Sequence, residues 1–261
     1  MKPYEHVVKY YECDKMGIVH HSNYVRFMEE ARVDWMDQIG YGFDQLEAEG
    51  VVRRVYGGAI LSDNSAAPNP MKPWDTRIVL NNPEKVNIAN EILRYIEDGM
   101  TIALDSGTTT LEIARLLNRR KNLSVITNDI HAARVLSLNT DHTIYLVGGS
   151  VKKDDMITVG FLASEFMKNF SHIDAALLTA DGFIDGIADF NVDMASLKAA
   201  MIEKSDKVYV ALDHSKFSIS ASHKVSGLKE LDLVVTGDKA PAAAIEQLKK
   251  AGVEVILVPC K

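Results

Sequence analysis

The sequence has few cysteines and no long apolar run, and both shortages exclude classes of protein. Its two cysteines, Cys13 and Cys260, stand near opposite ends of 261 residues, which argues against a disulfide framework or a metal cluster. No apolar stretch is long enough to span a bilayer, and the first residues lack the apolar segment of a secretory signal. We therefore expect a cytoplasmic protein with no membrane partner, no bound metal and no cofactor.

Basic residues are scarce at the start of the chain. The net charge is −7 at pH 7, and residues 1–50 contain ten Asp or Glu against five Lys or Arg. Affinity for nucleic acid rests on cationic contacts to phosphate. Residues 1–50 are therefore a poor candidate for binding DNA.

From residue 77 to residue 261, short apolar runs alternate with amphipathic segments. The runs that we predict as strands are 100–104, 123–128, 143–147, 174–178, 207–212, 233–236 and 253–258. Nearly continuous apolar strands separated by helices are typical of a parallel sheet covered on both faces. The pattern predicts an α/β fold with a doubly wound, mainly parallel sheet.

One stretch, Asp105 to Thr110, joins a strand to a helix through small and hydroxyl-bearing residues. The unpaired N–H groups of the first helical turn and the helix dipole form an anion site suited to phosphate. Ser and Thr also cap helices without binding a ligand, so the turn alone leaves both interpretations open.

Small and polar residues also follow four other strands, and parallel sheets bind ligands beyond the carboxyl ends of their strands. The candidate ligand-binding residues are Asp105, Ser106, Gly107, Thr108, Thr109, Thr110, Thr127, Asn128, Gly148, Gly149, Asp181, Gly182, Lys198, Asp213 and Lys216. Structural turns also collect Gly and Asp, but five donor-rich strand ends favour a ligand that carries phosphate.

Motifs in order along most of the chain support this interpretation. They are Arg54-Val55-Tyr56-Gly57-Gly58-Ala59, Glu84-Lys85-x-x-Ile88-Ala89, Leu104 to Thr110, Thr127-Asn128, Ala180-Asp181-Gly182, Lys198-x-x-Met201-Ile202 and Asp213 to Phe217. Together they resemble the C-terminal sensor domain of DeoR-type transcriptional repressors. The resemblance implies the fold of ribose-5-phosphate isomerase and CoA transferases, and a phosphorylated sugar or related metabolite as ligand.

The same resemblance implies where the ligand lies and what else the protein binds. It places the phosphate on Ser106 to Thr110, with Asp181, Lys198 and Lys216 near the sugar. It also implies a DNA-binding head that responds to the ligand, and we expect a homo-oligomer. Residues 51–76 resemble the wing and linker that close such a head, but no helix-turn-helix precedes them. DNA is therefore a partner expected from the family and doubtful for this chain.

The first fifty residues resemble another family. Residues 6–11 are typical of a short strand, and an amphipathic helix follows. The pattern Tyr10-x-Glu12-x-Asp14-x-Met16-Gly17-Ile18-Val19-x-His21-x-Asn23-Tyr24 resembles the opening of hotdog-fold acyl-CoA thioesterases of the 4-hydroxybenzoyl-CoA type. The resemblance implies Asp14 as nucleophile or general base, supported by His21 and Tyr10. The further strands of a hotdog sheet are missing after residue 50, which favours an inactive partial domain.

Three functions therefore follow from the sequence. The first, which we favour, is a non-catalytic sugar-phosphate sensor of a DeoR-type regulator. The second is an isomerase that uses carboxylates at the strand ends, such as Asp105, Asp181 and Asp213. The third is a thioesterase that depends on Asp14.

Overall fold

The computed structural model describes residues 4–13, 18–19, 21–38, 52–55, 58–61, 72–138 and 141–261. The chain divides into two compact units, Met1–Thr76 and Arg77–Lys261. In the part of the chain that is described, no helix is both long and apolar enough to cross a membrane.

The first unit contains helix α1 (His21–Gln38) and an antiparallel pair of strands, β1 (Val52–Val55) and β2 (Gly58–Leu61). The prediction of a strand at residues 6–11 is wrong, because Tyr10–Glu12 form one turn of 3-10 helix. The buried Glu12 carboxylate accepts a hydrogen bond from the backbone N–H of Lys9 at 2.8 Å and contacts His6 Nε2 at 3.0 Å. These contacts hold the chain in a turn where an extended strand was expected.

The second unit alternates helices and strands along its length. The helices are α2 (Trp74–Val79), which spans the division between the units, α3 (Asn82–Ile92), α4 (Thr108–Leu116), α5 (Ile130–Leu136), α6 (Phe161–Phe166), α7 (Val192–Lys204) and α8 (Ala242–Lys250). The strands are β3 (Thr101–Leu104), β4 (Ser124–Thr127), β5 (Thr143–Leu146), β6 (Ser150–Lys152), β7 (Ile157–Val159), β8 (Ile173–Leu178), β9 (Gly182–Phe183), β10 (Ile187–Asp189), β11 (Ser205–Leu212), β12 (His223–Lys224), β13 (Leu233–Gly237) and β14 (Glu254–Val258).

Seven of these strands form one parallel sheet in the order β14-β13-β11-β8-β3-β4-β5. Ala176 and Leu178 of the central strand β8 belong to a core cluster with Met201 of α7. Ala175 and Leu177 alternate with them along the strand and are equally buried, so both faces of the sheet are covered. The predicted α/β fold with a doubly wound, mainly parallel sheet is confirmed.

Two smaller antiparallel sheets are formed by short strands that come after strands of the large sheet in the sequence. Strands β6 and β7 form a hairpin, and β9, β10 and β12 form a three-stranded sheet with β10 in the middle. The last residue of β10 is Asp189, which is 1% exposed. The small sheet therefore adds a buried carboxylate to the second unit.

Candidate functional site

The carboxyl ends of the parallel strands form one edge of the large sheet, here called the carboxyl edge. Asp105 directly follows β3, and its backbone N–H donates to Leu177 O of the neighbouring β8 at 3.0 Å. Asn128 follows β4, and Asp213 follows β11. Asp105, Asn128 and Asp213 are all buried, so the edge presents polar side chains in an interior environment.

Three charged residues form what we call the lysine cluster: Asp105, Lys198 and Asp189. Lys198 Nζ lies 3.0 Å from Asp105 Oδ2 and 2.9 Å from Asp189 Oδ2. It also donates to Thr179 O at 2.8 Å, and the Thr179 backbone N–H donates to Asp105 Oδ2 at 3.0 Å. Two carboxylates therefore share one ammonium group, with all three side chains at most 3% exposed.

Burial and the attraction between opposite charges compete in the lysine cluster. It raises the pKa of Asp105 to about 6 although the charge of Lys198 opposes the shift, and it also raises the pKa of Asp189. Burial opposes the charge on Lys198, but Asp105 and Asp189 outweigh it and hold the pKa of Lys198 above its usual value. Lys198 stays charged, but its single positive charge does not fully compensate the two buried carboxylates of Asp105 and Asp189.

The turn between β3 and α4 has a backbone that requires glycine. Gly107 has φ 154° and ψ 168°, a region that is essentially restricted to glycine, and a Cβ there would lie 2.8 Å from Thr179 Cγ2. Thr110 Oγ1 donates to Gly107 O at 3.0 Å. The residues from Ser106 to Thr110 are thereby held at the start of a nine-residue helix, whose first N–H groups have no acceptor within the helix.

A carboxylate already occupies one donor of this turn. Asp129 Oδ2 accepts a hydrogen bond from the Gly107 backbone N–H at 3.3 Å, and its Oδ1 caps α5 by accepting from the backbone N–H groups of His131 and Ala132. Burial raises the pKa of Asp129, against the effect of these three donors. An anion at the turn would therefore rely on the donors of Ser106 and of residues 108–110.

Asn128 connects the turn to the neighbouring hairpin. Its Nδ2 donates to Thr158 O at 3.1 Å and lies 3.4 Å from Ser106 Oγ. Its Oδ1 is buried and has no hydrogen-bond partner among the described residues, and the same holds for Asp105 Oδ1. Two buried acceptors at the carboxyl edge thus lack donors.

Asp213 is held by hydrogen bonds at the end of β11. Its Oδ1 accepts from Asn81 Nδ2 at 2.9 Å and from the backbone N–H and hydroxyl of Ser215 at 3.2 and 2.5 Å. Burial opposes ionisation, but the bonds from Ser215 and Asn81 and the charge of Lys216 outweigh it, so the pKa of Asp213 is lowered. Asp213 is therefore an ionised carboxylate at neutral pH.

The positive charges of two lysines near Asp213 are only partly compensated by neighbouring carboxylates. Burial lowers the pKa of Lys216, although Asp213 and Asp181 act to raise it. Burial also lowers the pKa of Lys85, to about 8, and Lys85 Nζ donates to the backbone oxygens of Arg77 and Leu80 at 2.5 and 2.6 Å. Both lysines would be stabilised by an additional anion.

The remaining candidates have local structural contacts. Thr127 Oγ1 accepts from the Asp129 backbone N–H at 3.1 Å, and Asp181 Oδ2 accepts from the Phe190 backbone N–H at 3.0 Å. Gly182 is buried as the first residue of β9. Gly148 and Gly149 follow β5 and are exposed.

The N-terminal candidates are described only in part. Asp14 lies outside the described residues, as does the side chain of His21, which begins α1. Tyr10 is 97% exposed.

Asp189, Thr179, Asn81 and Lys85 were not predicted as site residues. Lys85 stands in a motif quoted above, but the motif does not reveal that its ammonium group is buried. Asp189 follows no strand of the large sheet, so the strand-end rule could not identify it.

The family models that match the chain agree with the two resemblances. The model of the DeoR C-terminal sensor domain matches residues 80–238, and that of the thioesterase-like superfamily matches residues 8–67. Ribose 5-phosphate isomerase A of Methanocaldococcus jannaschii is a structural neighbour with TM-score 0.38 and 17% identity, covering 52% of this chain and 55% of its own.

Two relatives are named as repressors. A putative aga operon transcriptional repressor of Escherichia coli O157:H7 is 34% identical over 216 residues, which are 82% of this chain and 79% of that protein. The glycerol-3-phosphate regulon repressor of Escherichia coli K12 is 30% identical over 207 residues, 78% of this chain and 80% of that protein. The predicted family is confirmed: this chain belongs to the DeoR family of transcriptional repressors and carries its C-terminal sensor domain.

Proposed function

We propose that the second unit binds a phosphorylated sugar or polyol at the carboxyl edge and that this ligand controls repression. The observation that carries the proposal is the pair of buried acceptors, Asp105 Oδ1 and Asn128 Oδ1, which have no partner among the described residues. A buried acceptor without a donor costs about 1–3 kcal/mol. Sugar hydroxyl groups are donors of the right kind to satisfy both, once the two fully buried side chains rotate to expose these oxygens to the ligand.

The phosphate end of the ligand is assigned to the turn at Ser106 to Thr110. Its support is the N-terminus of α4, with its free N–H groups and dipole, together with the hydroxyl groups of the turn. Two lysines near Asp213, Lys216 and Lys85, have pKa values that burial lowers, and an anion at this edge would stabilise their charged forms. One relative is named for glycerol-3-phosphate, which is a phosphorylated polyol.

Binding without turnover is the role that we assign to the charged residues. In the lysine cluster Asp105 Oδ2 is already held by Lys198 and by the Thr179 backbone N–H, which suits an orienting group better than a mobile base. The sensor domain's family also favours regulation over isomerase chemistry. We further propose that the chain acts as a homo-oligomer. DNA is a partner expected from the family, and our prediction remains that the acidic first fifty residues are a poor candidate for binding it.

A thermal-shift screen against sugar phosphates and their free sugars tests the proposal. A ligand at about 100 times its dissociation constant stabilises the folded state by about 2.7 kcal/mol, which raises the Tm by about 5–10 °C in a domain of this size. We expect the shift for a phosphorylated sugar and not for the free sugar. The protein should not convert the phosphorylated sugar into any product.

A double variant, Ser106→Ala/Thr108→Ala, removes two hydroxyl groups of the turn and should abolish most of the shift. The matched control is Ser137→Ala/Ser196→Ala, because these exposed hydroxyl groups donate only to helix carbonyls, of Arg134 and Val192. Equal shifts in the two double variants, or no shift with any phosphate, would contradict the proposed site.

A second candidate function is supported by the thioesterase-like match at residues 8–67. The proposal is hydrolysis of an acyl-CoA thioester with Asp14 as nucleophile or general base. Release of free CoA from a panel of acyl-CoA esters measures it, and the activity must disappear in Asp14→Ala. Activity that survives this substitution would exclude Asp14 as its source.

A further inference from the structure

A second group of side chains lies at the carboxyl edge, on the side of strands β11, β13 and β14. Glu84 is in the first turn of α3, His214 follows Asp213 after β11, and Cys260 follows β14 by two residues. We call these three residues the histidine cluster. Because they lie 130 and 46 residues apart along the chain, no spacing motif in the sequence connects them.

The three side chains present an oxygen, a nitrogen and a sulfur to one point. Glu84 Oε2 lies 2.7 Å from His214 Nδ1, and Cys260 Sγ lies 3.7 Å from the same nitrogen. All three potential ligand atoms lie within 4.8 Å of one another. Around a tetrahedral zinc ion such atoms are separated by about 3.3–3.6 Å, so an ion fits after side-chain movements below 1 Å or so.

The backbone leaves room for this approach at Gly237, the last residue of β13. A Cβ at this position would overlap Glu84 Oε1 and come within 2.6 Å of Cys260 Sγ. Any larger residue would push the carboxylate and the thiol apart. Glycine at 237 therefore permits the convergence of the three groups.

We propose that Glu84, His214 and Cys260 bind one divalent transition-metal ion of the zinc class. Mixed nitrogen, sulfur and carboxylate ligands favour Zn²⁺ or its analogue Co²⁺ over Mg²⁺ and Ca²⁺, which take oxygen ligands. Glu84 is fully buried, whereas His214 and Cys260 are partly exposed. The fourth coordination position therefore faces solvent and takes a water molecule.

The ion would take the place of a proton. At present the Glu84 carboxylate accepts hydrogen bonds from both the backbone N–H and Nδ1 of His214. An ion bound by Glu84 Oε2 and His214 Nδ1 displaces the proton between these two atoms, and the Cys260 thiol loses its proton to solvent. The bond from the backbone N–H to Glu84 Oε1 is kept. This proposal does not depend on the sugar-phosphate site.

Titration of the metal-free full chain with Co²⁺ tests the site. We expect one equivalent to bind, with a thiolate-to-cobalt charge-transfer band in the near ultraviolet, and Zn²⁺ to displace it. Cys260→Ser should lose the band, while Cys13→Ser, the matched control for the other cysteine, should keep it. Glu84→Gln should weaken binding at least about 10-fold.

Three results would overturn the assignment: no band in the wild-type chain, a band that survives in Cys260→Ser, or a band that is lost in Cys13→Ser. Circular dichroism of each variant establishes that it is folded. If Cys260→Ser does not fold, Glu84→Gln decides, because unchanged Co²⁺ affinity in that variant also refutes the site. At the same Zn²⁺ concentration, the Tm of the wild-type chain should in addition rise more than that of Glu84→Gln.

Discussion

Asp105 and Glu84 are both fully buried at the carboxyl edge, but the structure compensates their charges by different means. Asp105 lies 3.0 Å from the ammonium group of Lys198. Glu84 instead accepts two hydrogen bonds from His214, each 2.7 Å long, one of them from the backbone. The lysine cluster is therefore held mainly by opposite charges, and the histidine cluster mainly by hydrogen-bond geometry.

This difference predicts how each cluster responds to substitution. Removing the cation from a buried ion pair leaves carboxylates without compensation and is strongly destabilising. Replacing a carboxylate by an amide that can still accept one of its hydrogen bonds costs much less. Four substitutions test the comparison, and their expected effects decrease in the order given below.

Lys198→Met should have the largest effect. It leaves Asp105 and Asp189 buried without their common cation, and we expect the free energy of unfolding to fall by about 3–5 kcal/mol. Urea unfolding at pH 7 measures the change. The control is Lys207→Met, because the pair of Lys207 with Asp232 is largely exposed and exposed ion pairs contribute little to stability. Similar losses in both variants would contradict the argument.

Asp105→Asn should change the pH dependence of stability. The pKa of Asp105 is raised from 3.8 to about 6 in the folded chain, so the folded state holds a proton that the unfolded state releases between these values. The stability that this proton contributes is complete below pH 3.8 and is lost as the pH rises through 6. The loss amounts to about 3 kcal/mol.

Urea unfolding of both proteins at several pH values between 4 and 7 measures this effect. The wild-type chain should become less stable relative to Asp105→Asn as the pH rises, and the variant should lack this component of the pH profile. Parallel profiles would mean that Asp105 is not the group that titrates.

Gly107→Ala should destabilise the turn between β3 and α4, which follows Asp105 of the lysine cluster, by about 1–3 kcal/mol. The added Cβ meets Thr179 Cγ2 at 2.8 Å, and the φ of 154° is unfavourable for alanine. Gly148→Ala is the control, because nothing lies within 4 Å of a Cβ at that exposed position. Thermal unfolding compares the two variants, and an equal Tm would show that the turn tolerates a side chain.

Glu84→Gln should have the smallest effect, a loss of about 0.5–1.5 kcal/mol. The amide oxygen of glutamine can still accept a hydrogen bond from the His214 backbone N–H, so only the charge and one bond are lost. Urea unfolding at pH 7 in a metal-free buffer measures it. A loss as large as that of Lys198→Met would mean that the histidine cluster also depends on charge.

The large sheet could be predicted from the sequence because its strands are short apolar runs separated by amphipathic segments. Runs such as 174–178 and 207–212 correspond to β8 and β11 of the structure. The small sheet of β9, β10 and β12 could not be predicted, since its strands have two or three residues. So short a segment has no measurable periodicity.

The candidate site was predictable only where a residue directly follows a long strand. Asp105, Asn128 and Asp213 meet this condition, and the structure places them at the carboxyl edge. Asp189 and Glu84 do not, because their positions depend on contacts between segments that are distant in sequence. Glu84, for example, meets His214 across 130 residues, and such a contact follows from packing.

Asp213 and His214 are consecutive residues whose side chains have different partners. Asp213 accepts a bond from Asn81, and His214 contacts Glu84, so a single peptide plane joins two chemically distinct neighbourhoods. Any ligand that rotates this plane alters both sets of contacts. Energetic coupling of this kind is reciprocal: an ion that tightened effector binding several-fold would itself be held more tightly by the same factor. The loop after β11 would then give the repressor two inputs, with a response that depends on their joint presence.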